Sequence, residues 1–372
     1  MKPEILAPVG SMEALNAALA AGCDAVYFGL PSFGARAFAN NFDLKTTKEV
    51  IERCHLCGVK VYITMNTILY EDEIEDAYNM AKKVHSFGVD ALIIQDLGFI
   101  HLLHHRLPNL VLHASTQLSV SNPYQIEQLK KLGVKRVVLA RECTKEEIQA
   151  CVDTGIEVEV FVHGALCICY SGQCYFSSVH YGRSGNRGMC AQPCRMKYSL
   201  YEDGNKVDTH GDYVLSPKDL SLMDEVNTLA NMGVCSLKIE GRMKSAPYVY
   251  ESVSQVKKVL ENIQRSNLDE QNLRVTFNRE YTLGHMYKES GNELMNSKTC
   301  NHQGIEIGKV VKVNKNKICI QLSQDLHQND GIRFEKENLG CHVNFMYDKK
   351  QKLISFMPKN NTVLIEGPVG VH

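Results

Sequence analysis

Residues 131–140, KLGVKRVVLA, carry the pattern that decides the fold of this chain. A helix-forming stretch ends at Gly133, and a run of apolar, mostly β-branched residues follows it directly. Glycine closes helices in the left-handed conformation, and a continuous apolar run is typical of a strand buried on both faces. The same phrase recurs around five other glycines, which are Gly22, Gly58, Gly88, Gly155 and Gly233.

The repeated phrase predicts an α/β fold in which helices alternate with parallel strands. Two more apolar runs, at the start of the chain and after Pro108-Asn109, complete a set of eight. The predicted strands lie near residues 4–8, 25–29, 59–65, 91–95, 110–114, 135–140, 156–162 and 235–239. Eight such units predict a (β/α)8 TIM-like barrel. An open doubly wound sheet is the alternative, but no G-x-G-x-x-G motif follows the first strand.

Residues 165–233 form a predicted insertion, because strands seven and eight stand much farther apart than the others. The insertion begins directly after the carboxyl end of strand seven, the end where barrel enzymes place catalytic residues. From about residue 275 the pattern changes to short alternating strands with Asn, Asp and Gly turns. We therefore expect a barrel over residues 1–265, then a linker and a small all-β C-terminal domain, a β-barrel, over residues 266–372.

The insertion opens with a cysteine-rich loop, since residues 163–197 hold five of the fourteen cysteines. Four of them follow the spacing C-x6-C-x15-C-x3-C, at Cys167, Cys174, Cys190 and Cys194. Thiolates on irregular, Gly-rich backbone can converge on one metal site. The paired C-x2-C knuckles typical of zinc are missing from this set, which favours an iron–sulfur cluster over zinc. Coincidental buried cysteine is the remaining interpretation, and Cys235 is an alternative fourth ligand.

The same loop is expected to be positive, although the whole chain has a formal charge of −1. No Asp or Glu occurs in residues 160–201, whereas Arg183, Arg187 and Arg195 all do. We expect these three arginines to attract phosphate. Four aromatic residues of the loop either stack on an unpaired RNA base or pack the loop itself, and they are Tyr170, Tyr175, Phe176 and Tyr181.

Polar residues at the predicted strand ends form a second candidate site. In a barrel these ends converge on one face, so the set carries more weight than its members. We expect a substrate-binding group of Asn66, Gln95, Ser115, Gln117, Arg141 and Glu142. We expect a catalytic group of His163, Lys238, Glu240 and Arg242. The last three alternate along strand eight, where they either line the pocket or neutralise one another as an ion network.

Composition and motifs exclude several classes of protein. The chain is 44% apolar and 22% charged, as soluble globular proteins are, and its pI near 6.9 gives no global attraction to nucleic acid or membrane. We recognise neither a transmembrane run nor a signal peptide, so we expect a cytoplasmic protein without a disulfide framework. The hydrolase motifs H-E-x-x-H and G-x-S-x-G are absent from the sequence.

Taken together, these motifs resemble a known family. FVHGALCICYSGQC and GNRGMCAQPCR in the cysteine loop, LAPVGSMEAL near the start and SLKIEGRMKS at strand eight are similar to the collagenase-like peptidase family of unassigned catalytic type, U32. The resemblance covers about residues 1–265 closely. NHQGIEIGKV and NDGIRF also resemble the β-domain of the longer members.

The resemblance implies a function as well as a fold. Related members hydroxylate the wobble uridine of tRNA or a cytidine of 23S rRNA, and others act in ubiquinone synthesis. In those relatives, cysteines matching Cys167, Cys174 and Cys190, with a fourth, hold a 4Fe–4S cluster. The tRNA branch takes its hydroxyl group from prephenate. The family name implies proteolysis, and some members are described as collagenases.

We therefore expect an iron–sulfur-dependent hydroxylase acting on a pyrimidine base of tRNA or rRNA, with no membrane partner. A positive, acid-free loop suits redox chemistry on an anionic polymer. The first alternative is a collagenase-like peptidase for unfolded or collagen-like polypeptide, with zinc as its metal. The second is a non-catalytic RNA-binding partner of a second family member. In the β-domain, four lysines either help to hold RNA or form a solvated face, and they are Lys309, Lys312, Lys315 and Lys317.

Overall fold

The computed structural model describes residues 2–36, 41–337 and 339–371, which fall into two units, Met1–His302 and Gln303–His372. Eight parallel strands of the first unit pair in chain order, and the eighth pairs with both the first and the seventh. The sheet is therefore closed, and the predicted (β/α)8 barrel is confirmed. Its strands are β1 Glu4–Pro8, β2 Ala25–Gly29, β3 Lys60–Met65, β4 Ala91–Ile94, β5 Leu112–Ala114, β6 Arg136–Val138, β7 Glu157–Ala165 and β8 Ser236–Ile239.

Helices connect the strands, and glycines of the repeated phrase end them. Gly22 and Gly233 are helix C-caps with φ of 81° and 94°, a conformation that glycine adopts without a Cβ clash. Within the described ranges, no helix is both long and apolar enough to cross a membrane. The helices are α1 Met12–Ala21, α2 Leu44–Leu56, α3 Ile74–Ser86, α4 Leu97–Arg106, α5 Pro123–Lys131, α6 Lys145–Val152, α7 Phe176–Tyr181, α8 Val226–Met232, α9 Ala246–Leu260, α10 Asn267–Thr276 and α11 Gly291–Leu294.

Side chains on the two faces of the strands build two apolar layers, because successive residues of a strand point in opposite directions. The outer layer packs against the helices, and α1 and α9 contribute Leu15 and Val253 to it. The inner layer fills the barrel and consists of Leu6, Ala25, Tyr27, Tyr62, Ala91 and Ile93. The barrel interior is thus a packed core that leaves its carboxyl end for a site.

The insertion between β7 and β8 is tied to the carboxyl end of the barrel. It contains α7 and a short hairpin that pairs Tyr201–Glu202 with Asn205–Lys206. A strand at Asp219–Ser221 then runs antiparallel to the last residues of β7, and α8 leads into β8. The cysteine loop is therefore anchored next to the barrel at both of its ends.

The first unit extends beyond the predicted boundary at residue 265. The ammonium of Lys258 on α9 lies 2.8 Å from the carboxylate of Asp269 on α10, and Gln255 Nε2 donates to the Asp269 carbonyl at 2.6 Å. The short strand Tyr281–Thr282 pairs in parallel with Asp219–Ser221. Residues 266–302, predicted as part of the linker and β-domain, therefore pack with the barrel, and the boundary lies at 302/303.

The second unit is all-β, as the sequence predicts. Two two-stranded ladders pair Leu326–His327 with Phe356–Met357, and Gly331–Phe334 with Leu339–His342. The unit has an apolar core of its own, which includes Ile318, Ile320, Val343, Met346, Val363 and Ile365. Its main sheet is antiparallel and has the spatial order Gly308–Asn314, Lys317–Leu322, Thr362–Glu366, Met346–Tyr347, Leu353–Ile354.

Candidate functional site

Three arginines surround one carboxylate at the carboxyl end of the barrel, a region that we call the mouth. Glu240 follows β8 directly and accepts hydrogen bonds from Arg141 Nη2 at 2.5 Å and Arg36 Nη2 at 3.5 Å. Arg242 is buried two residues further on, and its Nη1 donates to Thr64 Oγ1 at 3.0 Å. The mouth therefore joins residues that follow β2, β6 and β8, which only closure of the barrel brings together.

The charges of the mouth do not balance. Burial raises the pKa of the Glu240 carboxyl, but Arg36, Arg141 and Arg242 outweigh it and lower that pKa to about 2. Burial, assisted by the charge of Arg36, lowers the pKa of Arg242 to about 10. Three guanidinium groups thus share one carboxylate in a region of low solvent access. Such a site favours an anionic ligand.

Amide and hydroxyl groups from neighbouring strand ends complete the rim of the mouth. Asn66 Oδ1 accepts from the Ala35 amide at 3.0 Å, and Asn66 Nδ2 donates to Ser115 Oγ at 3.3 Å. Gln95 Nε2 donates to the Gln117 carbonyl at 3.2 Å. Gln95 Oε1 is buried without a partner among the described residues. The structure thus brings the predicted substrate-binding residues of β3, β4 and β5 together and leaves an acceptor for a ligand to satisfy.

Glu142, predicted to bind substrate, holds the cysteine loop instead. Its Oε1 accepts from the Ser171 amide at 3.1 Å and from Ser171 Oγ at 3.0 Å. Ser171 Oγ in turn accepts from the Arg141 amide at 3.3 Å. The chain reversal at residues 140–142 therefore places Arg141 in the mouth and turns Glu142 toward the loop.

Lys238, predicted as catalytic, belongs to a buried ion network below the mouth. Its ammonium lies 2.8 Å from Glu159 Oε1, and both side chains are almost completely buried. Arg136 Nη1 donates to Glu159 Oε2 at 3.2 Å and to Glu4 Oε1 at 2.7 Å. Lys238 and Arg136 lower the pKa of the Glu159 carboxyl against the opposing effect of burial. Lys238 thus pairs with Glu159, whereas Arg242 acts on Glu240 in the mouth, and the catalytic roles of these three residues stay predictions.

His163 is displaced from the mouth by a register shift. The pairing of β7 with β8 is irregular between Lys238 and Ile239, and such a bulge re-aims the side chains beside it. The imidazole packs on the rings of Tyr248 and Tyr281, each with a centroid 5.5 Å away. Burial lowers the pKa of His163 to about 4, and its Nδ1 has no partner within the described structure. His163 is thus buried against two tyrosine rings, and its place in the substrate pocket stays a prediction.

The four cysteines of the predicted metal site share one neighbourhood. Burial raises the pKa of Cys174, and the nearby thiols of Cys167 and Cys190 raise it further. Burial also raises the pKa of Cys194 to about 11, and the same three thiols contribute to this rise. The Glu240 carboxylate raises the pKa of Arg36 in the mouth against the opposing effect of burial, and the nearby thiols of Cys167 and Cys190 add to this rise. The loop therefore brings these thiols next to one another and to the mouth.

The four cysteines offer the right kind of ligand for a metal, but their convergence is a separate question. All four side chains are unpaired thiols, the donor type that both zinc and iron–sulfur clusters use. Over the described parts of the chain, no three His, Cys, Asp or Glu side chains converge closely enough to hold a single metal ion. The donor type alone therefore fits either zinc or an iron–sulfur cluster.

Cys235 lies at the opposite end of the barrel. It directly precedes β8, and its amide donates to the Val158 carbonyl at 2.9 Å near the start of β7. Burial raises the pKa of its thiol to about 12, and the charges nearest to it are those of Arg136 and Glu159. The prediction that Cys235 can serve as a fourth ligand is wrong, since the barrel separates it from the cysteine loop.

Two of the three arginines predicted to attract phosphate are engaged within the protein. Arg195 is buried, and its guanidinium donates to Ser216 Oγ and to the carbonyls of Pro217 and Leu166. Arg187 donates to Glu73 Oε1 and to the Ile68 carbonyl, both at 2.5 Å. The prediction is therefore wrong for Arg195, and the charge of Arg187 is neutralised by Glu73.

Arg183 and the aromatic residues lie on the outside of the loop. Arg183 is exposed, and its Nε donates to the Met189 carbonyl at 3.1 Å. The rings of Tyr170, Tyr175 and Tyr181 are 69%, 62% and 52% exposed. Phe176 instead packs on His180 and Tyr198. Three of the four predicted aromatics thus offer free faces for a base to stack on, and the fourth packs the loop.

Sequence reasoning missed two residues that shape this end of the molecule. Arg36 lies in the loop after β2, and the rule that strand-end loops supply the site points to it even without a motif. Glu159 is an acid within the apolar run VEVFV, where a buried charge requires a partner. Both signals are weak alone, because a loop arginine and a strand glutamate are common on exposed surfaces.

The chain is similar to proteins of known name. The profile described as peptidase family U32 matches residues 10–296. The 23S rRNA 5-hydroxycytidine C2501 synthase of Escherichia coli (strain K12) is 35% identical over 92% of this chain and 54% of its own length. The tRNA hydroxylation protein P1 of Bacillus subtilis (strain 168) is 40% identical over 70% of this chain and 63% of its own length.

A third relative has a proteolytic name. The collagenase of Porphyromonas gingivalis (strain ATCC BAA-308 / W83) is 33% identical over 83% of this chain and 80% of its own length. The chain spans only 54% and 63% of the two hydroxylation relatives, so their activities are not transferred by similarity alone. The profile match extends over most of the barrel unit and over the cysteine loop. This chain belongs to peptidase family U32.

Proposed function

We propose that this chain hydroxylates a pyrimidine base of tRNA or rRNA and uses an iron–sulfur cluster held by the cysteine loop. The observation that carries the proposal is the position of this loop, which Ser171 ties to Glu142 and to the backbone of Arg141, a residue of the mouth. A redox centre would then lie beside a site built for an anion. The names of the two hydroxylation relatives support the reaction class.

The proposed cofactor is a 4Fe–4S cluster on Cys167, Cys174, Cys190 and Cys194. Thiolates are the ligands of such clusters, and the four residues are free thiols in one loop. When bound, the cluster would supply electron transfer. Zinc on the same residues is the alternative, and it would turn the loop into a structural or Lewis-acid site.

The proposed role of the mouth is to bind the small anion that donates the hydroxyl group. Hydroxylation replaces a C–H bond by a C–O–H group, which is a two-electron oxidation. An oxygen donor has to be held near the base, and the two electrons would leave through the proposed cluster to an external electron acceptor. Arg36, Arg141 and Arg242 provide fixed donors for carboxylate groups, and Gln95 Oε1 offers a free acceptor. Prephenate, a dicarboxylate, is the donor that we propose.

The exposed tyrosines of the cysteine loop are proposed to hold the RNA. Tyr170, Tyr175 and Tyr181 present open rings on which an unpaired base can stack. Within residues 160–201, no acidic side chain repels the phosphate backbone. We also propose a cytoplasmic location and a second family member as a partner.

The proposal is tested with protein purified without oxygen and with RNA from a deletion strain. We expect about four irons and four sulfides per chain. Mass spectrometry of digested RNA should reveal a pyrimidine that lacks one oxygen in the deletion strain. Cys190→Ser should abolish both the iron and the modification, whereas the control Cys235→Ser should leave both unchanged, because Cys235 lies at the other end of the barrel.

Proteolysis is the second candidate function, since one relative is named a collagenase. A colourless protein with one zinc per chain and unaltered RNA in the deletion strain would sink the hydroxylase proposal. Cleavage of gelatin by that zinc protein, lost in Cys190→Ser, would establish the peptidase instead. Gelatin cleavage that persists in Cys190→Ser indicates a contaminating protease.

A further inference from the structure

The C-terminal unit contains an open cavity of about 730 Å³. This volume falls within the range of small-ligand sites. Six of the residues around it carry the argument, and they are Asn316, Asn329, His342, Asn344, Phe345 and Glu366. All of them belong to the unit Gln303–His372, and none takes part in the mouth or in the cysteine loop. The cavity is therefore a separate candidate site.

The asparagine side chains around the cavity are open to a ligand. Within the described chain, the side-chain amides of Asn316, Asn329 and Asn344 form no hydrogen bond to protein, and all three residues are exposed. Asn329 has φ of 73°, so its backbone conformation already explains why asparagine occurs there. Asn316 lies in the two-residue turn of the hairpin that Asn314 and Lys317 close, where asparagine is also favoured, so only Asn344 has no such backbone reason. An amide offers both donors and an acceptor, the combination that reads the edge of a nucleobase.

An aromatic ring lies next to these amides. Phe345 is 47% exposed, although its neighbours in the chain, Met346 and the nearby Val343, are completely buried in the core of the unit. The backbone of Phe345 is fixed, since its carbonyl accepts from the Glu366 amide at 3.3 Å. An open phenyl ring on a fixed backbone is a stacking platform for a base.

The electrostatics of the C-terminal unit favour an anionic polymer. Residues 303–372 contain ten Lys or Arg and seven Asp or Glu, a net charge of +3 within a chain of net charge −1. Lys315 and Lys317 flank Asn316, and both are exposed. Glu366 is the one acidic side chain at the cavity, and Tyr347 Oη donates to it at 3.0 Å. A phosphate would meet the lysines at the edge of the cavity.

We propose that this cavity binds one unpaired nucleobase of an RNA. Phe345 stacks on the base, Asn316 and Asn344 hydrogen-bond to its edge, and Lys315 and Lys317 contact the adjoining phosphates. The identity of the ligand as RNA rests on the proposed function, because the same chemistry of amides and an aromatic ring also suits a peptide. RNA is favoured over a peptide by the positive charge of a unit whose chain is acidic elsewhere.

The test measures binding of labelled single-stranded RNA by the full-length protein. Fluorescence anisotropy with 12-nucleotide RNAs of each base should give a Kd that rises about tenfold in Phe345→Leu, since one lost base–aromatic stack accounts for that change. Asn316→Ala/Asn344→Ala should weaken binding and reduce the preference among bases. The matched control is Phe356→Leu, because Phe356 is 44% exposed in the same unit and packs on His327 away from the cavity.

The outcomes separate this site from the proposed function. Equal RNA affinity in Phe345→Leu, Phe356→Leu and wild type, with unchanged circular dichroism, would overturn the site even if hydroxylation is real. Loss of affinity in Phe345→Leu alone supports the site, including in a protein that proves to have no hydroxylase activity. Binding of a gelatin peptide that depends on Phe345, without RNA binding, would assign the cavity to polypeptide and overturn the proposal.

Discussion

Buried charges are balanced at the amino end of the barrel and unbalanced at its carboxyl end. Toward the amino end, the positive charges of Arg136 and Lys238 meet the carboxylates of Glu4 and Glu159 in pairs of 2.7 to 3.2 Å. At the mouth, three guanidinium groups share Glu240, and Gln95 Oε1 has no partner within the described structure. A network whose charges balance needs no further ion and belongs to the fold. An unbalanced one indicates that a further anion is part of the site.

The largest effect is expected at the balanced end. Glu159→Gln should lower the free energy of unfolding by about 3–5 kcal/mol, because it leaves Lys238 and Arg136 buried without their shared carboxylate. Urea unfolding at neutral pH measures this loss. The control Glu157→Gln should cost less than about 1 kcal/mol, since that side chain is 35% exposed. Similar losses in the two variants would mean that burial does not distinguish these carboxylates.

Removal of the Glu240 carboxylate at the mouth should also lower the free energy of unfolding, and this loss should depend on pH. The pKa of Glu240 is about 2 in the folded protein and about 4.3 in an unfolded chain. Its carboxylate therefore stabilises the fold fully above about pH 4.3, and this contribution disappears as the pH falls toward 2. Glu240→Gln should be less stable than wild type by about 3 kcal/mol at pH 7.

The difference between Glu240→Gln and wild type should narrow as the pH falls below about 4.3. Unfolding measured from pH 7 down to the acid limit of the native state reveals it. Glu52→Gln is the control, because the Glu52 side chain is 60% exposed and the stability difference between this variant and wild type should stay small at every pH. A stability gap for Glu240→Gln that stays constant with pH would show that the lost group was not ionised.

Substitution of Arg36 in the mouth should impair substrate binding more than it lowers stability. Arg36 is 38% exposed, and its pair with Glu240 is long, at 3.5 Å. Arg36→Gln should therefore change stability by less than about 1 kcal/mol. On the proposed function, it should raise the KM for prephenate about tenfold, because one charge-assisted contact is lost. Arg36→Lys keeps the positive charge but loses the planar guanidinium group. Its KM for prephenate should therefore lie between those of wild type and Arg36→Gln.

The outcome for Arg36 bears directly on the comparison of the two ends. If Arg36→Gln instead costs as much stability as Glu159→Gln with an unaltered KM, the mouth is a structural network like the amino end. The unbalanced charge would then have no ligand to explain it, and the anion site would be abandoned.

The fold was readable from the sequence because its signal is local and repeated. The strands lie where the apolar runs follow the glycines, and β1 and β2 match the predicted ranges in full. The boundary at 265 was wrong because α10 begins with a polar capping box at Ser266, which looks like a linker. Its attachment to α9 depends on tertiary contacts that a local pattern does not contain.

The site was only partly readable, because pairing depends on distant strands. The strand-end rule found Arg141 and Glu240, which the structure joins. It did not find that Lys238, two residues before Glu240, pairs with Glu159 inside the barrel. Nor does the sequence contain the bulge that turns His163 toward Tyr248. Charge type is visible in a sequence, whereas the choice of partner is fixed by closure of the barrel.

The smallest effect on stability is expected where the cysteine loop touches the barrel. Arg187 and Glu73 are each 25% exposed, and the guanidinium lies over the ring of Tyr70 at 4.4 Å. Arg187→Gln should cost less than about 1 kcal/mol of global stability. It should nevertheless speed hydrogen exchange in residues 163–197, because it removes the contact between this loop and the β3–α3 connection.

Arg183→Gln is the matched control, because Arg183 donates to Met189 within the loop itself. Faster hydrogen exchange in Arg187→Gln alone would show that the contact of Arg187 with Glu73 positions the loop. The balanced end of the barrel is tied together differently, since Arg136 on β6 joins Glu4 on β1 and Glu159 on β7. Equal exchange in both variants would mean that the Glu142–Ser171 anchor holds the loop without help from Arg187. On the proposed function, a loop that can loosen without unfolding the barrel would let the cluster be inserted.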